Sequence, residues 1–358
     1  MKINKDRIIG TFIDLVKIDS ESGEEQEIIS YLQSLMVELR FNVEIDKTGN
    51  LIASNDLNPL LMLAAHVDTV KPGKGIKPII DGNTIRTDGT TILGSDDKAN
   101  IAIILEILRV FKENDLHIPL DVIFTIGEEV GFIGSKGLDY SKVKAKIGLN
   151  LDGETGEIDI AEPSMMILNI EVIGKAAHSG MEPEMGINAL KIAAGAINSL
   201  ELGRIDEETS VNVGTIRGGE AINIVPEKVV MKAEVRSHNA EKFNYQVKRV
   251  INAFEKDTNK YGGVLKITSE QTAYAYNVPE NDELVEVLKN CFNKNSVNPK
   301  IVKINATSDT SNFSRNNIKC VTTGGCGKKY HTTEEYLEID DFIAGARSIL
   351  DATLELTK

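Results

Sequence analysis

Four short runs of this chain are dominated by apolar and β-branched residues: 60–65, 120–126, 147–151 and 320–323. Each is too short for a helix, and both faces of each pleat are unsuited to water. Such runs read as strands buried on two sides, which requires helices on both faces of their sheet. Helical spacing supplies them. Ile8, Ile9, Phe12, Ile13 and Val16 mark a helix over 5–17, and Ile28, Ile29, Leu32 and Leu35 one over about 24–39. Ile101, Ile104, Leu105, Leu108 and Phe111 mark a third, and a last one is expected over 340–354. A short strand pair, 42–46 and 50–54, surrounds Lys-Thr-Gly-Asn. The alternation predicts an α/β fold, in which ligands bind where strands end.

Acids and histidines gather at those ends. His66 follows the first run in Ala-Ala-His66-Val-Asp68, and Glu128-Glu129 follows the second. Asp152 follows the third, and His331 lies beyond a Gly-rich loop after the fourth. Asp96-Asp97 stands on a turn ahead of the third helix. A lone Glu-Glu pair is usually a solvated loop, but charges at buried strand ends need partners. Two imidazoles and three carboxylates suit two borderline divalent ions, which at ~3.5–4 Å separation share a carboxylate. Asp96 is the natural bridge. His66 and Asp152 would complete one metal, and Glu129 and His331 the other. Glu128 remains free as a general base, and Asp68 is placed to hold the second nitrogen of His66.

Between Pro163 and Pro279 the rhythm changes to strand 167–173, helix 187–200, strands 211–217 and 228–236, helix 240–256 and strand 263–272. This β-α-β-β-α-β order predicts a ferredoxin-like unit inserted into the first domain. The expected boundaries are 1–164 with 278–358 for the outer domain, and 165–277 for the insert.

Composition narrows the partners. With 40 basic and 54 acidic residues the net charge is -14, and no basic run argues for nucleic acid or an anionic membrane. No apolar stretch approaches ~20 residues. Three cysteines, Cys291, Cys320 and Cys326, do not form a disulfide framework, which fits a reducing cytoplasm. Cys326 near His331 raises a thiol nucleophile, but a ligating histidine would not be free to activate it. Of the remaining histidines, His117 reads as a loop residue and His238 as structural. Gly-x-Ser-x-Gly, phosphate-loop and His-Glu-x-x-His patterns are absent.

His66-Val-Asp68-Thr, Gly-Ser-Asp96-Asp97-Lys, Glu128-Glu129, Asp152-Gly and Tyr-His331-Thr-Thr-Glu together resemble the co-catalytic di-zinc exopeptidases and deacylases, nearest to the peptidase T group. The likeness spans almost the whole chain. It implies a zinc-exopeptidase (phosphorylase/hydrolase-like) catalytic domain with a mixed sheet, and an inserted lid that also makes a dimer interface. It implies two zinc ions per chain, with cobalt or manganese as substitutes, and a cis peptide bond before Asp97. An Asp at position 152 is the form typical of the aminopeptidases and dipeptidases of the family. His178, in Ala-Ala-His178-Ser-Gly, matches a lid histidine that stabilises the oxyanion, and Arg236 an arginine that clamps the substrate carboxylate. Asn223 and the Gly324-Gly325 backbone match substrate contacts. The family's Gly-Gly-Thr-Asp-Gly segment reads Asn305-Ala-Thr-Ser-Asp309-Thr here, keeping the acid and losing the glycines. The implied protein is a cytoplasmic, homodimeric aminopeptidase of short peptides. Its rivals are a deacylase or dipeptidase on the same site, and a dimeric binding protein without catalysis.

Overall fold

A computed structural model describes the whole chain, residues 1–358. It divides into two compact units: 1–161, 277–303 and 308–358 form the first, and 162–276 with 304–307 the second. The four residues 304–307 thus belong with the second unit, although the sequence around them follows the rhythm of the first.

The first unit is built on a nine-stranded mixed sheet. Its centre consists of Leu120–Thr125, Leu61–His66, Ile147–Thr155 and Lys319–Gly324, in that spatial order and all parallel. Every residue of the first two strands is buried, as their apolar runs require. Register decides what meets at the strand ends. His66 pairs with Thr125, and Ala64 pairs with Asn150, which sets residue 66 level with residue 152. The strand from Ile147 continues to Thr155, so Asp152 lies within it rather than after it. The apolar run ends at Leu151, where burial becomes partial, and pairing with Lys319–Gly324 resumes at Thr155 after a register shift.

Gly156, with φ of 88°, turns the chain into Glu157–Glu162, a strand the sequence reading passes over. That strand lies antiparallel to Lys319–Gly324 and is flanked by Lys300–Lys303. The helix Ser95–Glu113 is buried on most of its surface, including Asn100 and Glu106. The helix Lys5–Val16 packs beside it, and the rings of Phe12 and Phe342 meet at 5.9 Å to join the first helix to the last, Ile339–Leu356.

The second unit is a five-stranded antiparallel sheet ordered Gly203–Asp206, Thr209–Gly218, Lys228–Ser237, Ser164–Ile173, Val264–Ala273. Without its short first strand, this is the ferredoxin-like order. Alternate residues of Lys228–Ser237 are buried beneath the helices Ala189–Asn198 and Ala240–Tyr261, where Ile192, Phe243, Val250 and Phe254 fill the core. The second helix runs past residue 256 because buried Thr258 keeps its inner face packed, and Gly262 in the left-handed region ends it. No helix of the chain is long and apolar enough to cross a membrane.

Glu106 is fully buried and accepts from the Asn4 amide at 2.8 Å and from Arg7 Nε at 2.6 Å. Removing one partner of a buried pair leaves an uncompensated charge, costing about 3–5 kcal/mol. Arg7→Ala should lower unfolding free energy by about that amount in urea melts, and adding Glu106→Leu should restore most of it. A single variant as stable as the parent would refute the pairing.

Candidate metal centre

The level strand ends bring five sequence-selected side chains into two triads. His66, Asp96 and Asp152 form one, and Asp96, Glu129 and His331 the other, with the ligand atoms of each within 4.8 Å of one another. Asp96 belongs to both. Its Oδ1 lies 3.0 Å from His66 Nε2, and its Oδ2 lies 3.1 Å from His331 Nε2. Asp152 Oδ1 is 3.6 Å from His66 Nε2, and Glu129 Oε1 is 2.9 Å from His331 Nε2. One carboxylate facing two imidazoles through different oxygens is the donor set a pair of divalent ions takes. Glu128 stands beside His66 and Glu129 in a further cluster and is surplus to both triads.

Asp96 reaches this position from a turn with a cis Asp96–Asp97 bond. Asp97 points away from the triads. Its Oδ2 accepts from the His66 amide at 3.1 Å, and its Oδ1 accepts from Asn100 Nδ2 at 2.7 Å and Cys326 Sγ at 3.3 Å. Burial pushes the Cys326 thiol well up, with the charge of Asp97 adding to it. A thiol so raised is a poor nucleophile, which disposes of the cysteine alternative.

Asp68 does more than hold an imidazole. The nearest acceptor to His66 Nδ1 is the Asp68 carbonyl at 3.0 Å, with the carboxylate Oδ1 at 3.4 Å. That carboxylate accepts from the amides of Glu128 at 2.9 Å and Glu129 at 3.2 Å, and from Ser22 Oγ at 2.7 Å. Two further buried residues continue the series, Asn50 on the Ile126 amide and Glu25 on the Gly127 amide, each at 3.2 Å. Four successive amides of the loop carrying Glu128 and Glu129 are thereby fixed by side chains from elsewhere. Asp309 holds both ends of the same loop, accepting from Thr125 Oγ1 at 2.5 Å and from Ser135 Oγ. Its burial at 1% exposure makes it a brace under the site, not a surface toward substrate.

Gly324 and Gly325 are buried against the helix Ser95–Glu113. A Cβ on Gly324 would come within 2.5 Å of Asn100 Oδ1, and one on Gly325 within 2.7 Å of Ile103 Cδ1. Close helix approach accounts for both glycines. His178, Asn223 and Arg236 lie in the second unit. His178 is exposed, and its Nδ1 accepts from the amides of Gly180 at 3.2 Å and Met181 at 3.1 Å. Two donors on Nδ1 leave the proton of a neutral ring on Nε2. Asn223 sits in the turn just before Ile224, which bridges to His178, and its carbonyl accepts from the Ser179 amide at 3.0 Å. Arg236 is held by Glu234 and donates to the Asn305 carbonyl at 3.1 Å. His117 pairs on the surface with Asp56 at 2.9 Å.

Crowded acids distort their own titration. Burial raises Asp96, yet hydrogen bonds from His331 and His66 overcome this and hold it well below the carboxylate range. Burial pushes Asp152 up to about 6 despite His66. Burial, then the charge of Asp152, drives Glu128 well upward, toward the proton affinity a general base needs. Hydrogen bonds to Asp96 and Glu129 raise His331 to about 10. Its raised folded value stabilises the protonated chain below the usual imidazole range, and this stability is lost as pH climbs through about 10. A metal takes neutral imidazole, so loading an ion at neutral pH must expel that proton. Affinity for zinc or cobalt should therefore rise with pH up to about 10. Calorimetry at pH 7.5 in buffers of differing ionisation heat should register at least one proton released per chain, and buffer-independent heats would contradict it.

A family model described as the peptidase dimerisation domain of the M20 type matches residues 160–262, and one for peptidase family M28 matches 49–185. A structure of a tripeptidase from Staphylococcus aureus subsp. aureus Mu50 superposes with a TM-score of 0.95 at 34% identity, covering 100% of both chains. Aminopeptidase PepT from Bacillus cereus ATCC 10987 gives 0.91 at 36% identity, covering 99% of this chain and 100% of that one. The uncharacterized protein YqjE of Bacillus subtilis strain 168 is 35% identical over 99% of this chain and 100% of its own.

Proposed function

This chain belongs to the M20 family of peptidases, and we propose that it removes the amino-terminal residue from short peptides, tripeptides above all, by metal-dependent hydrolysis. The observation that carries the reading is the pair of triads joined through Asp96, with Glu128 beside them and not needed by either. His66, Asp96 and Asp152 would hold one ion, and Asp96, Glu129 and His331 the other. Zinc suits nitrogen and oxygen donors, and cobalt or manganese would serve on the same ligands. When bound, such ions polarise a carbonyl and lower the pKa of a water toward ~7.

The chain's own groups do the rest. Glu128 accepts the proton of the attacking water and returns it to the leaving amine. Asp68 aims that base by holding the amides of residues 128 and 129, and it steadies His66 at the same time. His178, with its proton on Nε2, is the proposed donor to the tetrahedral oxyanion, a contact whose removal typically costs ~10²–10³ in rate. Arg236 is the proposed clamp on the peptide carboxylate, for which a planar guanidinium is suited, and Asn223 a further contact. Asp152 in place of Glu supports cleavage from the amino end, by resemblance to the aminopeptidases. The match to a peptidase dimerisation domain supports a homodimer, and the cysteine usage supports the cytoplasm.

Glu128→Gln should still bind two ions per chain while kcat on a free-amine tripeptide falls by ~10²–10⁴. Retained turnover would remove Glu128 from its role. Parallel assays with N-acetyl and N-succinyl amino acids and with dipeptides should give far lower kcat/KM for the parent enzyme, and a preference for the acylated amino acids would replace the peptidase reading with the deacylase.

A further inference from the structure

Glu335 takes part in neither triad, yet its carboxylate meets more donors than any side chain around them. It is 1% exposed. Its Oε2 accepts from the amides of Leu93 at 2.7 Å and Gly94 at 2.8 Å. Its Oε1 accepts from the Ser95 amide at 2.7 Å, Ser95 Oγ at 2.5 Å and the Asp96 amide at 3.3 Å. Four consecutive amides and one hydroxyl therefore converge on a single carboxylate, and the last amide belongs to the residue shared by both triads. Ser95 Oγ also accepts from the Gly327 amide at 3.2 Å, and Lys328 and Tyr336 pair through their backbones. Gly327 has to be glycine here, since a Cβ would lie 2.3 Å from Ser95 Oγ.

The same loop carries His331, four residues before Glu335. One segment thus delivers an imidazole to the second triad and grips the backbone on which Asp96 rides. We infer that Glu335 is a positioning residue for the metal centre, setting the plane of the Asp96 carboxylate against both His66 and His331. The inference rests on the reading of Asp96 as the bridging ligand. It distinguishes Glu335 from an ordinary buried acid, because its influence passes through one shared oxygen pair and must reach both ions. A residue that merely steadied the His331 loop would affect only the triad of Asp96, Glu129 and His331.

Glu335→Gln tests this. The amide oxygen keeps some of the acceptor role, but its NH₂ group turns two donors onto backbone N–H groups. Metal-stripped protein titrated with cobalt(II) should show both ions weakened, by ~10–100-fold as for other groups that orient ligands, with an altered cobalt visible spectrum and an unchanged far-ultraviolet circular dichroism. His331→Ala should weaken mainly one ion. Arg7→Ala, which destabilises the fold far from this turn, should bind cobalt as the parent does. Glu335→Gln binding two cobalt ions with parental affinity and spectrum, or losing only the ion that His331→Ala loses, overturns the inference. Should that variant not fold, Ser95→Ala decides: a smaller loss at both ions with a shifted spectrum supports it, and parental behaviour overturns it. A parent chain that takes up no cobalt would instead refute the metal centre itself.

Discussion

Negative charge packed into a small, poorly hydrated space is the condition that the rest of this molecule is arranged to tolerate. Asp96, Asp152, Glu128 and Glu129 crowd around two imidazoles at the ends of parallel strands. Neighbouring strands lie ~4.8 Å apart, so level registers bring their terminal side chains within mutual reach. Repulsion among those acids would spread the loops apart if side chains alone held them. The loops are instead restrained through their amides, each a fixed donor directed at a buried acceptor. Asp68, Asn50 and Glu25 restrain the Glu128 loop, and Glu335 restrains the turn before Asp96. The site is thus two layers: an upper one of acids and imidazoles that faces ligands, and a lower one of buried acceptors that faces backbone.

That division explains what the sequence displays. The upper layer is legible because its members border recognisable patterns. His66 and Glu128-Glu129 follow apolar runs, and Asp96 stands in the non-helical first turn of an amphipathic helix. The lower layer is nearly silent. Glu335 acts on residues about 240 positions away, and Asp309 acts on Thr125 and Ser135 from 184 and 174 positions away. An acid whose partners are distant amides leaves no local periodicity, and its own surroundings read as ordinary loop. Asp309 was visible only as a retained letter in an altered segment. Its setting shows why the flanking glycines matter less than the acid, since the carboxylate does the bracing.

Element boundaries failed where pairing outlasts hydrophobicity. The strand through Asp152 runs on to Thr155 after the apolar pattern has ended, whereas Glu157–Glu162 buries Ile158, Ile160 and Ala161 among acids that break up its apolar run. The helix to Tyr261 similarly continues on a buried Thr258 amid charged neighbours. In the second unit the order of elements was readable from alternation, whereas the membership of 304–307 was not, because four residues carry no pattern. The tautomer of His178 was also beyond reach, since it depends on two amides that follow it in the folded turn.

The grip of Glu335 on Ser95 spans 240 residues of chain, and that span has a meaning in time. A ribosome adding ~5–20 residues per second needs roughly 12–50 s between delivering the one and the other. For almost all of that interval the turn bearing Asp96 lacks its anchor, and His331 of the second triad has not been made. A chain assembled this way gains the second triad's imidazole and the anchor of Asp96 only when all but about its last two dozen residues have been made.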